Sequence, residues 1–462
     1  MAPSLKCLDT KIGRSAAWLC LAAGALLSSI AGIGNASAQA KLPLIRDAEI
    51  EALLKDYTAP LFKAAGLGKG AVDVYIVNDD RFNAFVTDRR MFINTGTLKK
   101  AEVPNEVIGV IAHETGHIVG GHQIRFRDRV NQANVFAALS VLAGAGAIAL
   151  GGDGGGEVGK ALALGGQSAI LRDLLAYKRS EESAADNSGV DLLTKTGQSA
   201  RGMLTTFERF NKELLFSGRK IDPYAMSHPM PRERFALLEE IAANSPHFGR
   251  TDTPALQLRH DMARAKIVAY EGNGGDLQSM FRNDPIGPAA RYGLAIALFL
   301  RGSTGEALPI IQKLLKEQPK NPYLYEILGE MLLRDRRAKE AVTAFGKAVS
   351  LDKYKSGLLR ALYGHALLET SDPAMVEKAI TEIKGGLSRD PGNSAGYGLL
   401  ARAYNASGEP DLARSAAAQE AYQAFQFKDA KRLAKLAQPK LKTGSPEWLR
   451  MQDIIDYKPA KK

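Results

Sequence analysis

The chain has 462 residues, of which 45% are hydrophobic and 24% are charged, and its formal net charge is +11. This length and balance suit a globular protein of two or three domains, but composition alone names no function. Both cysteines, Cys7 and Cys20, lie near the N-terminus, so a chain without this leader has neither a disulfide nor a thiol nucleophile.

The N-terminus has the pattern of a secretory signal peptide. Residues 1–14 are polar and basic, residues 15–33 are apolar, and the small residues of NASAQA follow. We predict a signal peptide over residues 1–38, cleaved after Ala38 or Ala40, and hence a periplasmic location. An uncleaved signal anchor is the alternative, because the apolar run is nearly long enough to span a bilayer. This leader argues against nucleic acid as a partner, and the positive charge fits work beside anionic lipid.

A helix and a small antiparallel sheet are predicted next. Residues 45–64, IRDAEIEALLKDYTAPLFKA, place apolar residues at helical spacing, whereas residues 71–96 alternate apolar and polar residues between turns. The strand at Asn83-Ala84-Phe85 is either an ordinary internal strand or an exposed edge to which an extended peptide adds as a further strand.

The segment PNEVIGVIAHETGH contains the pattern H-E-x-x-H at His113, Glu114 and His117. Its apolar residues and the proline at 104 predict a helix with a buried flank. Residues four apart on a helix lie one above the other, so both imidazoles can face one zinc ion while Glu114 projects toward the reacting water. The alternative is that the two histidines are ordinary core or surface residues.

The third ligand decides what kind of metal site this is. Metzincins supply it as the last histidine of H-E-x-x-H-x-x-G-x-x-H. Gly120 matches the glycine of that pattern, but Gln123 stands at the final position and His122 falls one residue short. If the helix continues, His122 points to its opposite side. Without cysteine, the third ligand is then expected to be a carboxylate.

Residues 134–152 contain no charged side chain and are about as long as a membrane span. Much of this segment is alanine and glycine, which drive membrane insertion weakly. We predict a buried or loosely docked helical hairpin with residues 159–180, and a membrane-touching element is the alternative.

A candidate carboxylate lies in the segment RSEESAADNSG. Glu182 and Asp186 are four residues apart, so on a helix they share a face and repel each other. A zinc ion bound by Glu182, with Asp186 hydrogen-bonded behind a ligand histidine, would offset that repulsion. A solvated acidic helix face explains the spacing equally well, and Glu181 is an adjacent competitor.

Four motifs in order carry a family resemblance: RFNAF at 81–85, H-E-x-x-H, E-x-x-x-D, and SHPMPRER at 227–234. Over residues 45–250 the chain resembles the gluzincin peptidase family of HtpX and the CAAX prenyl proteases, and its periplasmic BepA-type subgroup most. The resemblance implies a zinc endopeptidase with one Zn2+ per chain, bound by His113, His117 and Glu182.

The resemblance also implies roles for the surrounding residues. Glu114 would be the general base, and Asp186 would support a ligand histidine. The family's His-Pro loop lies near the metal, so His228 would be a reversible fourth ligand. Arg234, with His228 as second choice, would stabilise the oxyanion of the substrate. The chain departs from the family in its two glycines before His122, where larger residues are common.

The C-terminal half shows a repeat. GEALPIIQKLL from Gly305 and KEAVTAFGKAV from Lys339 are 34 residues apart, which is the tetratricopeptide period. Such a solenoid presents a concave surface that can hold protein segments, although it could also only brace the preceding domain. The basic residues in 428–442 are either a solvated helix face or an envelope contact.

We therefore predict a mainly α protein. An α+β zincin-like metallopeptidase domain with a small β-sheet (41–250) precedes an all-α tetratricopeptide-repeat solenoid (256–425) and a basic helical tail (426–462). The predicted function is a periplasmic zinc endopeptidase in outer-membrane protein assembly and quality control, which cleaves misassembled clients held by the repeats. Its partners would be unfolded outer-membrane proteins and their assembly machinery. A peripheral contact with the membrane is also compatible with the sequence. The alternative is a non-proteolytic chaperone or scaffold whose metal site is idle or structural.

Overall fold

The computed structural model describes residues 42–150, 152–217, 228, 232–272 and 274–458. The predicted signal peptide at 1–38 lies outside these ranges. Residues 45–462 form one compact unit. The predicted fold class is confirmed, because a small sheet is confined to the N-terminal part and paired helices make up the remainder.

The N-terminal part combines a four-stranded sheet with helices. Its strands are β1 (Leu44–Ile45), β2 (Asp73–Val77), β3 (Ala84–Thr87) and β4 (Arg90–Asn94). Its helices are α1 (Ala48–Ala64), α2 (Thr95–Lys100), α3 (Pro104–Gly120), α4 (His122–Leu150), α5 (Gly152–Lys195), α6 (Arg201–Ser217) and α7 (Arg232–Ala243).

The sheet has the order β1-β2-β4-β3, so β3 lies at an edge. β3 and β4 pair antiparallel through the tight turn at Asp88, whose φ is +54°. β2 and β4 pair parallel, with Val74 opposite Met91. The prediction of an antiparallel sheet is therefore wrong for β2 and β4. The reason is that residue alternation reports which face is buried but does not report which strands are neighbours.

Helix α3 runs through the core of the N-terminal part. Pro104 occupies its first turn, and the carboxylate of Glu106 accepts a hydrogen bond from the backbone N of Glu102 at 2.8 Å. Every residue from Pro104 to His117 is buried. The helix packs against α1, α5 and α6 and ends at Gly121, whose φ of +63° is left-handed.

Helices α4 and α5 pack side by side as the predicted hairpin. Arg129 of α4 pairs with Asp173 of α5 at 3.0 Å. The hairpin is not buried throughout, because Phe136 and Leu142 of α4 are 61% and 67% exposed. Within the described ranges, no helix combines the length and apolar content that crossing a bilayer needs.

The C-terminal part is an array of helix pairs, and its helix starts repeat at the predicted interval. The first helices of two successive pairs begin at Pro288 and Pro322, and their second helices at Thr304 and Ala338, each 34 residues apart. The helices are α8 (Pro254–Tyr270), α9 (Gly274–Met280), α10 (Pro288–Leu300), α11 (Thr304–Glu317), α12 (Pro322–Arg334), α13 (Ala338–Leu351), α14 (Gly357–Glu369), α15 (Pro373–Leu387), α16 (Ser394–Ala406), α17 (Pro410–Gln423), α18 (Phe427–Ala437) and α19 (Pro446–Asp456).

Helix α1 of the N-terminal part lies against helices of the repeats. Ala48 and Ala52 share an apolar cluster with Tyr323, Ala348 and Leu359. The repeats therefore contact a segment of this chain itself through α12, α13 and α14.

Candidate active site

Three parts of the chain bring their polar side chains together beside α3. Helix α3 supplies His113, Glu114 and His117, and α5 packs against it with Glu182 facing the histidines. Residue His228 approaches the same point. One ligand atom from each of His113, His117, Glu182 and His228 lies within 4.8 Å of the others, and all four side chains are buried.

The distances between these atoms fit a zinc ion. Nε2 of His113 lies 3.1 Å from Nε2 of His117 and 3.4 Å from Oε2 of Glu182, and Nε2 of His117 lies 3.7 Å from Oε1 of Glu182. Tetrahedral zinc with bonds of about 2.0–2.1 Å separates its ligand atoms by about 3.3 Å. Two imidazoles and one carboxylate are also a ligand set typical of catalytic zinc.

His228 lies within reach of the same point. Its Nδ1 is 3.2 Å from Nε2 of His113 and 2.9 Å from Oε2 of Glu182. Its Nε2 is 3.3 Å from Oε1 of Glu114. The imidazole therefore lies between the ligand atoms and the Glu114 carboxylate.

Asp186 and Arg234 lie behind the ligands. The imidazole Nδ1 of His113 lies 2.9 Å from Oδ1 of Asp186, an arrangement that orients a metal-binding ring. The guanidinium of Arg234 donates to both Asp186 oxygens, at 2.6 and 2.9 Å, and lies 3.1 Å from Glu182. Arg234 is 3% exposed. The guanidinium of Arg234 is thus engaged by these two carboxylates, and its predicted role toward charge on the substrate stays a prediction.

The protonation of the site follows from burial and close charges. Burial raises the pKa of Glu114 to about 7, and its Oε1 has no hydrogen-bond partner among the described residues. Burial disfavours the charged form of His113, but hydrogen bonds with Asp186 and Glu182 outweigh it and raise the pKa to about 9. Burial likewise opposes the charge of Glu182, yet the surrounding histidines lower its pKa. The site thus holds the anionic carboxylate of Glu182 beside the carboxylate of Glu114, whose pKa lies near neutral pH.

His122 lies behind His117, whereas the sequence reasoning put it on the opposite side only for a helix that continues past Gly121. The two Nδ1 atoms are 2.9 Å apart, and His122 is 5% exposed. The left-handed residue Gly121 ends α3 and turns the chain back toward it. A Cβ on Gly120 would overlap the ring of His122, so the glycine at 120 leaves the space that this imidazole occupies. The pair of glycines before His122 was the sequence signal from which the contact could have been found.

Comparison with known proteins identifies the two parts of the chain. Residues 45–242 match peptidase family M48, and residues 276–322 and 302–356 match the tetratricopeptide repeat. The chain is 26% identical over 298 residues to the putative beta-barrel assembly-enhancing protease of Vibrio cholerae serotype O1, a match covering 63% of this chain and 60% of that one. It is 22% identical over 424 residues to the beta-barrel assembly-enhancing protease of Escherichia coli (strain K12), covering 90% of this chain and 84% of that one.

Among solved structures, MamA MSR-1 C2 is 17% identical and covers 36% of this chain and 93% of its own length, with a TM-score of 0.30. Peptidase family M48 is a family of metallopeptidases. All four residues of the His/Glu cluster lie within the matched residues 45–242. The chain therefore carries a peptidase family M48 domain followed by tetratricopeptide repeats, and it is a metallopeptidase.

Proposed function

We propose that this metallopeptidase is a zinc-dependent endopeptidase of the bacterial periplasm. It would act in outer-membrane protein assembly and quality control, cleaving misassembled clients held by its repeats. The observation that carries the proposal is the convergence of His113, His117 and Glu182 beside the buried carboxylate of Glu114. The printed names of the relatives support the link to β-barrel assembly.

The donor set supports one Zn2+ per chain, held by the two imidazoles and Glu182. Bound zinc supplies a Lewis acid that acidifies water and polarises a peptide carbonyl. Glu114, whose pKa lies near 7, is suited to accept the proton of the attacking water and to return it to the leaving amine. Asp186 orients His113, and Arg234 fixes Asp186 and Glu182, so we assign both residues to positioning.

His228 gives the resting protein a closed site. Its imidazole lies within 3.2 Å of two ligand atoms, where it would take the fourth ligand position and cover Glu114. A client that displaces His228 would open the site. The same contact favours the alternative function, a chaperone or scaffold with an idle metal site, because a permanently covered site would not cleave.

The edge strand β3 provides a place for the substrate. It ends the strand order on the side of β4, so an extended peptide can add to it as a further strand. In the periplasm the clients would be unfolded outer-membrane proteins and their assembly machinery, and nucleic acid would not be a partner. The proposed periplasmic location rests on the predicted signal peptide. The proposed domains are the peptidase at 41–250, the repeats at 256–425 and the basic tail at 426–462.

The test measures zinc content and casein cleavage together. Glu114→Gln should keep the zinc and lose roughly 10²–10⁴-fold in cleavage rate, because it removes the general base. Glu182→Gln should lose the zinc, and His228→Ala should raise cleavage. Glu239→Gln, a matched change at an exposed site of α7, should alter none of these quantities.

Two outcomes would contradict the endopeptidase proposal. The first is full casein cleavage by Glu114→Gln. The second is full rescue of envelope defects by Glu114→Gln in cells that lack the protein, which would instead support the scaffold.

A further inference from the structure

A second candidate binding site lies in the repeats, away from the metal ligands. A pocket of about 400 Å³ opens among α15, α16, α17 and α19. Cavities of this size are typical of ligand sites, whose walls are mostly apolar with a few polar groups. The apolar part of this wall is formed by Leu387, Tyr397, Leu400, Tyr404 and Leu412.

The charged side chains that line the pocket carry a net positive charge. Lys384 of α15 and Arg450 of α19 both line it, and Glu447 is the acidic residue among the lining side chains. Arg450 lies 3.5 Å from Glu447, which is a long contact for an ion pair. Two cations and one carboxylate give the lining side chains a formal charge of +1. The pocket therefore favours an anionic group over a cationic one.

Two buried polar side chains of α17 also line the pocket without partners. Gln419 is 8% exposed and Ser415 is 4% exposed. Neither side chain makes a hydrogen bond with any residue that the structure describes. The amide of a glutamine offers both a donor and an acceptor, as a peptide backbone requires.

Helix α1 already contacts the earlier repeats, so the pocket lies in a part of the array that α1 leaves available to another segment. Ala48 and Ala52 of α1 occupy part of the surface of the earlier repeats, where they pack with Tyr323, Ala348 and Leu359. The pocket lies further along the array, in later helix pairs.

We propose that this pocket binds an extended peptide segment in which an apolar side chain stands next to an aspartate or glutamate. The apolar side chain would lie against Leu387 and Leu400, its backbone amide would pair with Gln419, and the carboxylate would face Arg450 and Lys384. The proposal rests on the proposed function for the origin of the segment, a client of the peptidase.

The experiment measures binding without cleavage. A fluorescein-labelled peptide with a Phe-Asp pair between Gly-Ser flanks, capped at its C-terminus, is titrated with the full chain carrying Glu114→Gln, and anisotropy is recorded. Arg450→Ala and Gln419→Leu should each raise the Kd about tenfold or more, the scale of one lost hydrogen bond to a charged or buried group. A Phe-Lys peptide should bind at least tenfold more weakly than the Phe-Asp peptide. Arg402→Ala, which removes an exposed cation paired with Glu369 outside the pocket, should leave the Kd unchanged.

Equal affinity for the Phe-Asp and Phe-Lys peptides would overturn the proposal. So would an unchanged Kd in Arg450→Ala, or binding restricted to an uncapped peptide, which would assign the pocket to a chain end. Circular dichroism of each variant shows whether the repeats remain folded. Casein cleavage by the wild type is measured separately, so a failure of this proposal and a failure of the endopeptidase proposal give different results.

Discussion

The imidazole of His122 supports the ligand candidate His117 from behind. Their Nδ1 atoms are 2.9 Å apart, and Oε2 of Glu181 lies 3.7 Å from His122. Arg125 in turn donates to Glu181 at 3.0 Å. Partners of this kind fix the orientation of a metal-binding ring, and their loss typically costs 10–100-fold in metal affinity.

His122→Ala should therefore bind zinc about 10–100-fold more weakly than the wild type while keeping the three direct ligands. Competition with a chromophoric chelator measures the affinity. The visible spectrum of the cobalt-substituted protein reports whether the ligand geometry changes. His365→Ala, which removes a histidine of the repeats, is the control. An unchanged zinc Kd in His122→Ala would show that the contact does not position the ligand.

Gly120 provides an independent check on the same contact. Because a Cβ at residue 120 would overlap the ring of His122, Gly120→Ala should displace that ring and weaken zinc binding on its own. In the His122→Ala background the ring is gone, so the additional loss from Gly120→Ala should be small. Additive losses in this double-mutant cycle would contradict the account.

For single residues, the sequence predicted which side chains belong to the site but not every contact that they make there. The spacing of Glu182 and Asp186 left a solvated helix face open, and the family resemblance assigned both residues to the site, where they lie beside His113. The contact of His122 with His117 was not predicted, because it depends on the left-handed conformation of Gly121, which ends the helix and turns the chain back. The contact between the guanidinium of Arg234 and Asp186 could not be predicted, because no sequence pattern records it.

Helices α3 and α6 approach each other closely at Gly202. The side chain of Asn105 joins them, accepting from the backbone N of Gly202 at 2.8 Å and donating to the carbonyl of Ser199 at 2.9 Å. A Cβ on Gly202 would overlap the backbone of Asn105, so the contact requires glycine. The helix that carries the metal-ligand candidates is thereby held against α6.

Gly202→Ala should lower the free energy of unfolding by about 1–3 kcal/mol, because the two backbones must separate to admit the methyl group. Urea unfolding followed by circular dichroism measures this loss. Gly305→Ala is the matched control, since its added Cβ in α11 meets open space. That change should be neutral or stabilising by up to about 1 kcal/mol. Equal effects at both sites would rule out the close approach as the cause.

Helices that follow a regular sequence repeat were predictable, whereas the spatial pairing of strands distant in sequence was not. The 34-residue interval predicted the helix pairs from Pro288 to Leu351 because each repeat buries the same small positions, such as Ala307 and Ala341. The parallel pairing of β2 with β4 joins segments on either side of β3, and no local pattern records such a partnership.

The seating of α1 in the repeats is the main feature that the sequence left unpredicted. It depends on residues more than two hundred positions apart, such as Lys266 and Asp47, which form an ion pair at 2.7 Å. The Lys266 ammonium also lies 3.4 Å from Glu49 and 3.6 Å from Glu326. Tyr292 donates to Glu49 at 2.8 Å. A buried cation surrounded by carboxylates from both parts of the chain thus joins the peptidase to its repeats.

Protonation of this cluster gives the junction a pH dependence. Burial raises the pKa of Glu326 from its ordinary value near 4.5 to about 8, an effect that Lys266 reduces. Since the folded state holds this proton more tightly than the unfolded state, the stability contributed by Glu326 is highest at low pH. It falls as the pH rises from about 4.5 to about 8.

Lys266→Met should destabilise the chain by about 3–5 kcal/mol near pH 8, because it leaves buried carboxylates without their cation. At pH 5 the loss should be smaller, since protonation then removes charge from the same carboxylates. Urea unfolding at both pH values measures the difference. Lys353→Met is the control, because that lysine is 65% exposed and pairs with Asp56 at the rim, where an ion pair contributes less than about 1 kcal/mol. A loss for Lys266→Met that was equal at both pH values, or no larger than that of Lys353→Met, would show that the carboxylates do not depend on Lys266.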